Sequence, residues 1–84
     1  MLSDKELFEQ IMAILRPLAI DGSEITADTD LVDDLSLDSL KIMEVLAEIE
    51  DRFDISVPIN ILSDIRTVRD VILQIQRLLV EVEG

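Results

Sequence analysis

Leu35-Ser36-Leu37-Asp38-Ser39-Leu40 runs straight into Lys41-Ile42-Met43-Glu44-Val45-Leu46-Ala47-Glu48-Ile49-Glu50-Asp51-Arg52-Phe53, and this stretch decides how the chain folds. Ile42, Val45, Leu46, Ile49 and Phe53 recur at helical spacing, so they line one side of a helix. That helix is expected to begin at Asp38 or Ser39 and to reach Arg52 or Phe53. Asp38 suits its N-cap, because a carboxylate there accepts unpaired N–H groups of the first turn. Leu40, Met43 and Ala47 make a second, separate apolar stripe. A helix in a small bundle needs only one stripe to hold it, so the second is available for contacts outside the core.

Upstream, Ser3-Asp4-Lys5-Glu6 has the form of a capping box, and Leu7, Phe8, Ile11, Ile14, Leu15 and Leu18 follow as one apolar stripe. Pro17 is expected to end or kink this first helix near Leu15. From about Leu18 to Asp38 the pattern lapses into a long connection, with a turn signal at Asp21-Gly22-Ser23 and an Asp- and Thr-rich run from Thr26 to Asp34. Loops of this length in a small domain tend to be functional. Ile20, Ile25, Leu31, Val32, Leu35 and Leu37 are expected to pin it to the core. Downstream, Asp54 to Pro58 reads as an extended connector and Ile59 to Asp64 as one short helical turn or two. Thr67 starts the last helix, with Asp70 in near capping-box register and a stripe of Val68, Val71, Ile72, Ile75, Leu78, Leu79 and Val82. The predicted fold is all-α, a single domain over residues 1–84: a small bundle of three main helices plus one short helix.

Composition narrows the function. The net charge is −12 over 84 residues, which repels phosphate backbones and anionic lipid; nucleic acid is a poor partner and basic protein patches are natural ones. Charge of this size also resists self-association, so a monomer is expected. The chain has no cysteine and no histidine, so disulfides, Cys/His zinc sites and a His-assisted nucleophile are excluded. Met1-Leu2-Ser3-Asp4 leads directly into a charged helix, so no secretory leader is expected, and no apolar run nears the ~20 residues of a membrane span. The expected compartment is the cytoplasm. Asp28-x-Asp30 fails as an EF-hand, since Val32 and Asp33 stand where a polar ligand and a glycine are needed. No high-affinity metal site is expected, only loose divalent binding to clustered carboxylates.

Ser39 is the residue with chemistry. At the mouth of a helix, a serine ordinarily caps or solvates the first turn. A phosphodiester on it would meet free N–H groups and the positive end of the helix dipole. Nothing in the chain activates the hydroxyl: there is no His, no G-x-S-x-G elbow, no P-loop and no metal cage. Any modification must come from another enzyme.

The segment Leu31-Val32-Asp33-Asp34-Leu35-Ser36-Leu37-Asp38-Ser39-Leu40 resembles the modification segment of acyl carrier proteins. Glu44, Ile49-Glu50, Phe53-Asp54, Val57-Pro58 and Ile65-Arg66-Thr67-Val68 continue in that family's spacing, and the likeness runs from about residue 4 to residue 80. The resemblance implies a non-enzymatic carrier. A phosphopantetheinyl transferase, using coenzyme A and Mg²⁺, would attach a 4′-phosphopantetheine arm to Ser39, and its thiol would carry acyl groups as thioesters. Asp38 matches the acidic residue that helps hold the metal for that transfer. Leu40, Met43 and Ala47, flanked by Glu44, Glu48 and Asp51, match the surface that docks acyl-loading and acyl-processing enzymes through their basic patches. Leu46, Ile49, Phe53, Val57, Ile65 and Val71 match positions that line an acyl-chain pocket, and serve equally as ordinary core.

The chain departs from the fatty-acid-synthesis pattern at Ser36-Leu37, where Gly-Ala or Gly-Leu is usual, at Lys41, often acidic, and at the apolar, neutral Ile59-Asn60-Ile61-Leu62-Ser63. These changes lie on or beside the recognition surface, which suggests a specialised member serving fatty-acid, polyketide or other lipid synthesis. Two alternatives stay open at this level: an aminoacyl or peptidyl carrier, including the D-alanyl type, and an unmodified carrier-like binding module.

Overall fold

The computed structural model describes residues 3–19 and 24–83, with side chains through residue 80. Three helices make the bundle: α1 (Asp4–Leu15), α2 (Ser39–Phe53) and α3 (Val68–Glu83). Short 3₁₀ turns at Arg16–Leu18 and Ile59–Ser63 follow α1 and precede α3. The expected turn at Asp21-Gly22-Ser23 and the expected anchor Ile20 lie outside the described residues.

Each helix starts where its local chemistry dictates. The Ser3 hydroxyl accepts the Glu6 N–H at 3.1 Å, and the Glu6 carboxylate reaches back to the Ser3 N–H, so the capping box is complete. Pro17 cannot donate, and α1 tightens into a 3₁₀ turn at Arg16. α2 ends at Asp54, whose left-handed backbone (φ 54°) reverses the chain while its N–H still bonds to Glu50. The Glu50 carboxylate then accepts the Val57 N–H at 2.8 Å, tying the extended connector back onto α2.

The core gathers side chains from every element. Leu7, Ile11, Met12, Ile14 and Leu15 of α1 meet Ile42, Val45, Leu46 and Ile49 of α2 and Val68, Val71 and Ile75 of α3. Met12 belongs to this core although the sequence reading left it out of the stripe. Its flexible thioether fills space beside the branched side chains. Ile25, Leu31, Leu35 and Leu37 bury the long connection as expected, and Ile55, Ile61 and Ile65 do the same for the second one. Val32 does not: it is 53% exposed, because the turn from Leu31 to Leu35 directs Leu31 and Leu35 inward and the residues between them outward.

The long connection is more ordered than its composition suggests. Asp30 and Thr67 form an isolated antiparallel bridge. Around it, the Leu31 N–H donates to the Arg66 carbonyl (2.8 Å), the Val68 N–H to Thr29 (3.0 Å) and the Arg69 N–H to Ala27 (2.8 Å). The loop is thus laced to the start of α3, which satisfies backbone groups that would otherwise go unpaired.

Candidate functional site

Ser39 is the first residue of α2, and it is exposed. Asp38 caps the helix from an extended conformation, its Oδ1 accepting the Lys41 N–H at 2.9 Å. The Ile42 N–H reaches the Asp38 carbonyl at 3.0 Å. Among the described residues no partner engages the N–H groups of Ser39 or Leu40. A hydroxyl therefore stands in solvent beside free donors at the positive end of the helix, the setting a phosphodiester favours.

The chain arrives at Ser39 through a strained corner. Ser36 sits at φ 56°, in the left-handed region where a glycine is cheaper. Its N–H donates to the Val32 carbonyl at 3.0 Å and the Leu37 N–H to Leu31 at 3.0 Å, a nested pair that closes the turn. Leu37 is buried, and its insertion sets Asp38 and Ser39 at the surface immediately afterwards.

Asp30 organises the turn before that corner. Its Oδ1 accepts the Val32 N–H (2.9 Å) and the Asp33 N–H (2.7 Å), while Oδ2 accepts Arg66 Nε at 2.7 Å. The Asp33 N–H foremost, then the guanidinium of Arg66, hold the Asp30 carboxyl below the usual carboxylate range. These oxygens serve the fold, and among the described residues no group of three or more Asp, Glu, His or Cys side chains is placed to surround a metal ion.

Along α2, Leu40 (65% exposed), Met43 (39%) and Ala47 form the expected outward apolar stripe, with Glu44, Glu48 and Asp51 exposed around it. Lys41 pairs with Glu44 at 3.3 Å. Of the expected pocket residues, Leu46, Ile49, Ile65 and Val71 are buried in the core, while Phe53 and Val57 are half-buried against it. Grooves open elsewhere on the surface. One of about 280 Å³ runs between the end of α1 and α2, lined in part by Ile14, Pro17, Lys41 and Glu48. Another, of about 560 Å³, lies along the outer face of α3 by Leu73, Arg77 and Val80. The reading from sequence missed the lacing of the loop to α3 and the ion pairs of Arg66 and Arg69. Arg66 was visible only as a motif position.

The family model for the phosphopantetheine attachment site matches residues 9–75. An acyl carrier protein of Thermobifida fusca is 36% identical over 76 residues, which cover 89% of this chain and 96% of that one. The chain belongs to the acyl carrier protein family. The carrier is also 35% identical to a meromycolate extension acyl carrier protein of Mycolicibacterium aurum, over 90% of its own length and 79% of the relative's. Among solved structures, a proposed acyl carrier protein from Mycobacterium tuberculosis superimposes with a TM-score of 0.72 at 42% identity, covering 83% of this chain and 95% of that one. Membership makes the chain an acyl carrier and not a catalyst, with 4′-phosphopantetheine as its covalent prosthetic group.

Proposed function

We propose that Ser39 is the attachment residue and that the carrier serves a dedicated lipid-synthesis pathway. The observation that supports it best is the exposed Ser39 hydroxyl on the first residue of α2, inside the matched span and beside unpartnered N–H groups. When attached, the arm supplies the thiol on which acyl groups ride. The chain's own residues do the rest. Asp38 keeps one oxygen on the Lys41 N–H and has lone pairs left for the metal that the transferase uses. Leu40, Met43 and Ala47 offer a small apolar contact, and Glu44, Glu48 and Asp51 around it steer basic enzyme patches into brief, fast encounters. Leu46, Ile49, Phe53, Val57, Ile65 and Val71 are the side chains between which an acyl chain would be sheltered, by displacement of core contacts.

Relatives named as meromycolate extension carriers support long-chain lipid synthesis as the setting and an acyl cargo over an aminoacyl one. The whole chain is read as one carrier domain acting as a monomer, its −12 charge opposing self-association. No helix among the described residues is long and apolar enough to cross a membrane, and the proposed compartment is the cytoplasm.

The test is intact mass before and after incubation with coenzyme A, Mg²⁺ and a broad-specificity phosphopantetheinyl transferase. One added phosphopantetheine on the native chain and none on Ser39→Ala is the expected result. Addition to Ser39→Ala, or none to a folded apo native chain, overturns the assignment.

A further inference from the structure

Ion pairs fasten the long connection to Arg66, just before α3, and to Arg69 in its first turn. Arg66 is their hub. Its Nε donates to Asp30 Oδ2 at 2.7 Å and its Nη2 to Asp33 Oδ2 at 3.1 Å, one guanidinium bridging two carboxylates of the same turn. Arg69 adds a pair with Asp28. From Asp30 the chain of contacts continues toward the site. The Asp30 carbonyl accepts the Asp34 (3.0 Å) and Leu35 (3.2 Å) N–H groups, and the Leu31 carbonyl accepts that of Leu37 (3.0 Å), two residues before Ser39. The connection carries Asp28, Asp30, Asp33, Asp34 and Asp38, whose mutual repulsion favours opening. The guanidinium opposes that repulsion where the turn is tightest.

We propose that Arg66 is a positioning residue for the modification of Ser39, holding the turn from Asp30 to Leu37 in the shape that presents Asp38 and Ser39 to the transferase. The proposal rests on Ser39 being the attachment residue. Arg66 is well suited to a clean test. Its backbone N–H to Asp70 and its carbonyl to Leu31 survive substitution, so Arg66→Ala removes the fork and leaves both the α3 cap and the backbone lacing. The side chain is also 70% exposed, so no cavity opens in the core.

The effect has a diagnostic sign. If the presenting shape becomes only fractionally populated, binding weakens by that fraction while the bound complex reacts as before. Removing a cation also makes the carrier more acidic, which by itself tightens docking to a basic enzyme and lowers KM. Positioning raises KM; bulk charge lowers it.

The experiment measures transferase kinetics on the apo native chain, Arg66→Ala and Arg66→Lys, below the melting temperature of each, with Ser39→Ala as control. Arg66→Ala is expected to raise KM about fivefold with kcat within about twofold of native, on the population argument. Arg66→Lys, a point charge able to hold one carboxylate at a time, should fall between. Faster amide exchange at Val32 and Asp33 should accompany the rise in KM. An unchanged or lowered KM in Arg66→Ala overturns the positioning role and leaves the Ser39 assignment standing. A native chain that takes no arm, or a Ser39→Ala chain that does, overturns the Ser39 assignment and this inference with it.

Discussion

Helices α2 and α3 begin with the same ingredients, an acidic side chain near unpaired N–H groups, and are finished differently. At α2, Asp38 holds one N–H, that of Lys41, and Ser39 and Leu40 are left open to solvent. At α3, Asp70 Oδ2 accepts the N–H groups of both Arg66 (2.9 Å) and Thr67 (3.1 Å), and the Thr67 hydroxyl accepts the Asp70 N–H at 3.3 Å. The second start is closed on itself and carries the loop; the first keeps donors open to solvent. A helix N-terminus can thus serve as an anchor or as a landing site, depending on how many of its donors are already engaged.

The largest effect that would break this contrast is in stability. Asp70→Ala frees two donors, the exposed Arg66 N–H and the part-buried Thr67 N–H, and should cost about 2 kcal/mol, against about 1 kcal/mol for Asp38→Ala. In a domain of this size that difference is several degrees, roughly 10 °C against 5 °C in thermal unfolding followed by circular dichroism. Equal losses would mean that the two caps are energetically alike. The pH dependence carries the same information. The N–H groups of Thr67, then Arg66, hold the Asp70 carboxyl below its ordinary range, and Asp30 is lowered likewise. The unfolded chain binds protons there first, so this stability is fully present above the unfolded pKa of about 4 and is lost as pH falls through the depressed folded value. The melting curves of native protein and Asp70→Ala should therefore converge on acidification. Curves that stay parallel would deny the carboxylate its role.

How much of this was legible in the sequence depends on the range of the interaction. The capping box at Ser3, the stop at Pro17, the N-cap at Asp38 and the Thr67–Asp70 register are local and could be read directly. So could the outward stripe of Leu40, Met43 and Ala47, because periodicity alone separates it from Ile42, Val45 and Ile49. What joins Asp30 to Arg66 spans 36 positions and leaves no periodic trace. The exposure of Val32 follows from a turn whose organising Asp30 carboxylate is shared with that distant guanidinium. The left-handed Ser36 had a weak signal, since it stands where fatty-acid-synthesis carriers usually have glycine, and the backbone supplies the reason.

A smaller effect sharpens the comparison at that corner. Ser36→Gly should stabilise the carrier by about 0.5 kcal/mol, the relief of a left-handed residue offset by the extra freedom of an unfolded glycine. A rise of about 3 °C in melting temperature is expected. A fall would mean that the Ser36 side chain contributes a contact that outweighs the strain.

The smallest effect concerns the one cation on the open turn. Lys41 pairs with Glu44 at 3.3 Å, but both side chains are 57% exposed, so the pair is worth at most about 0.5 kcal/mol. Lys41→Ala should leave the melting temperature within about 2 °C of native. Its consequence should fall on encounter instead: with the cation gone, Glu44 is unopposed and the surface around Ser39 is more uniformly acidic. Transferase KM should drop modestly at low salt, and the difference should vanish as added salt screens the surface. Lys41 and Arg66 then act in opposite directions on the same reaction, because one cation lies on the open helix start and the other fastens the turn that leads to it. A loss of stability in Lys41→Ala comparable to that of Asp70→Ala would remove the distinction between the two ends.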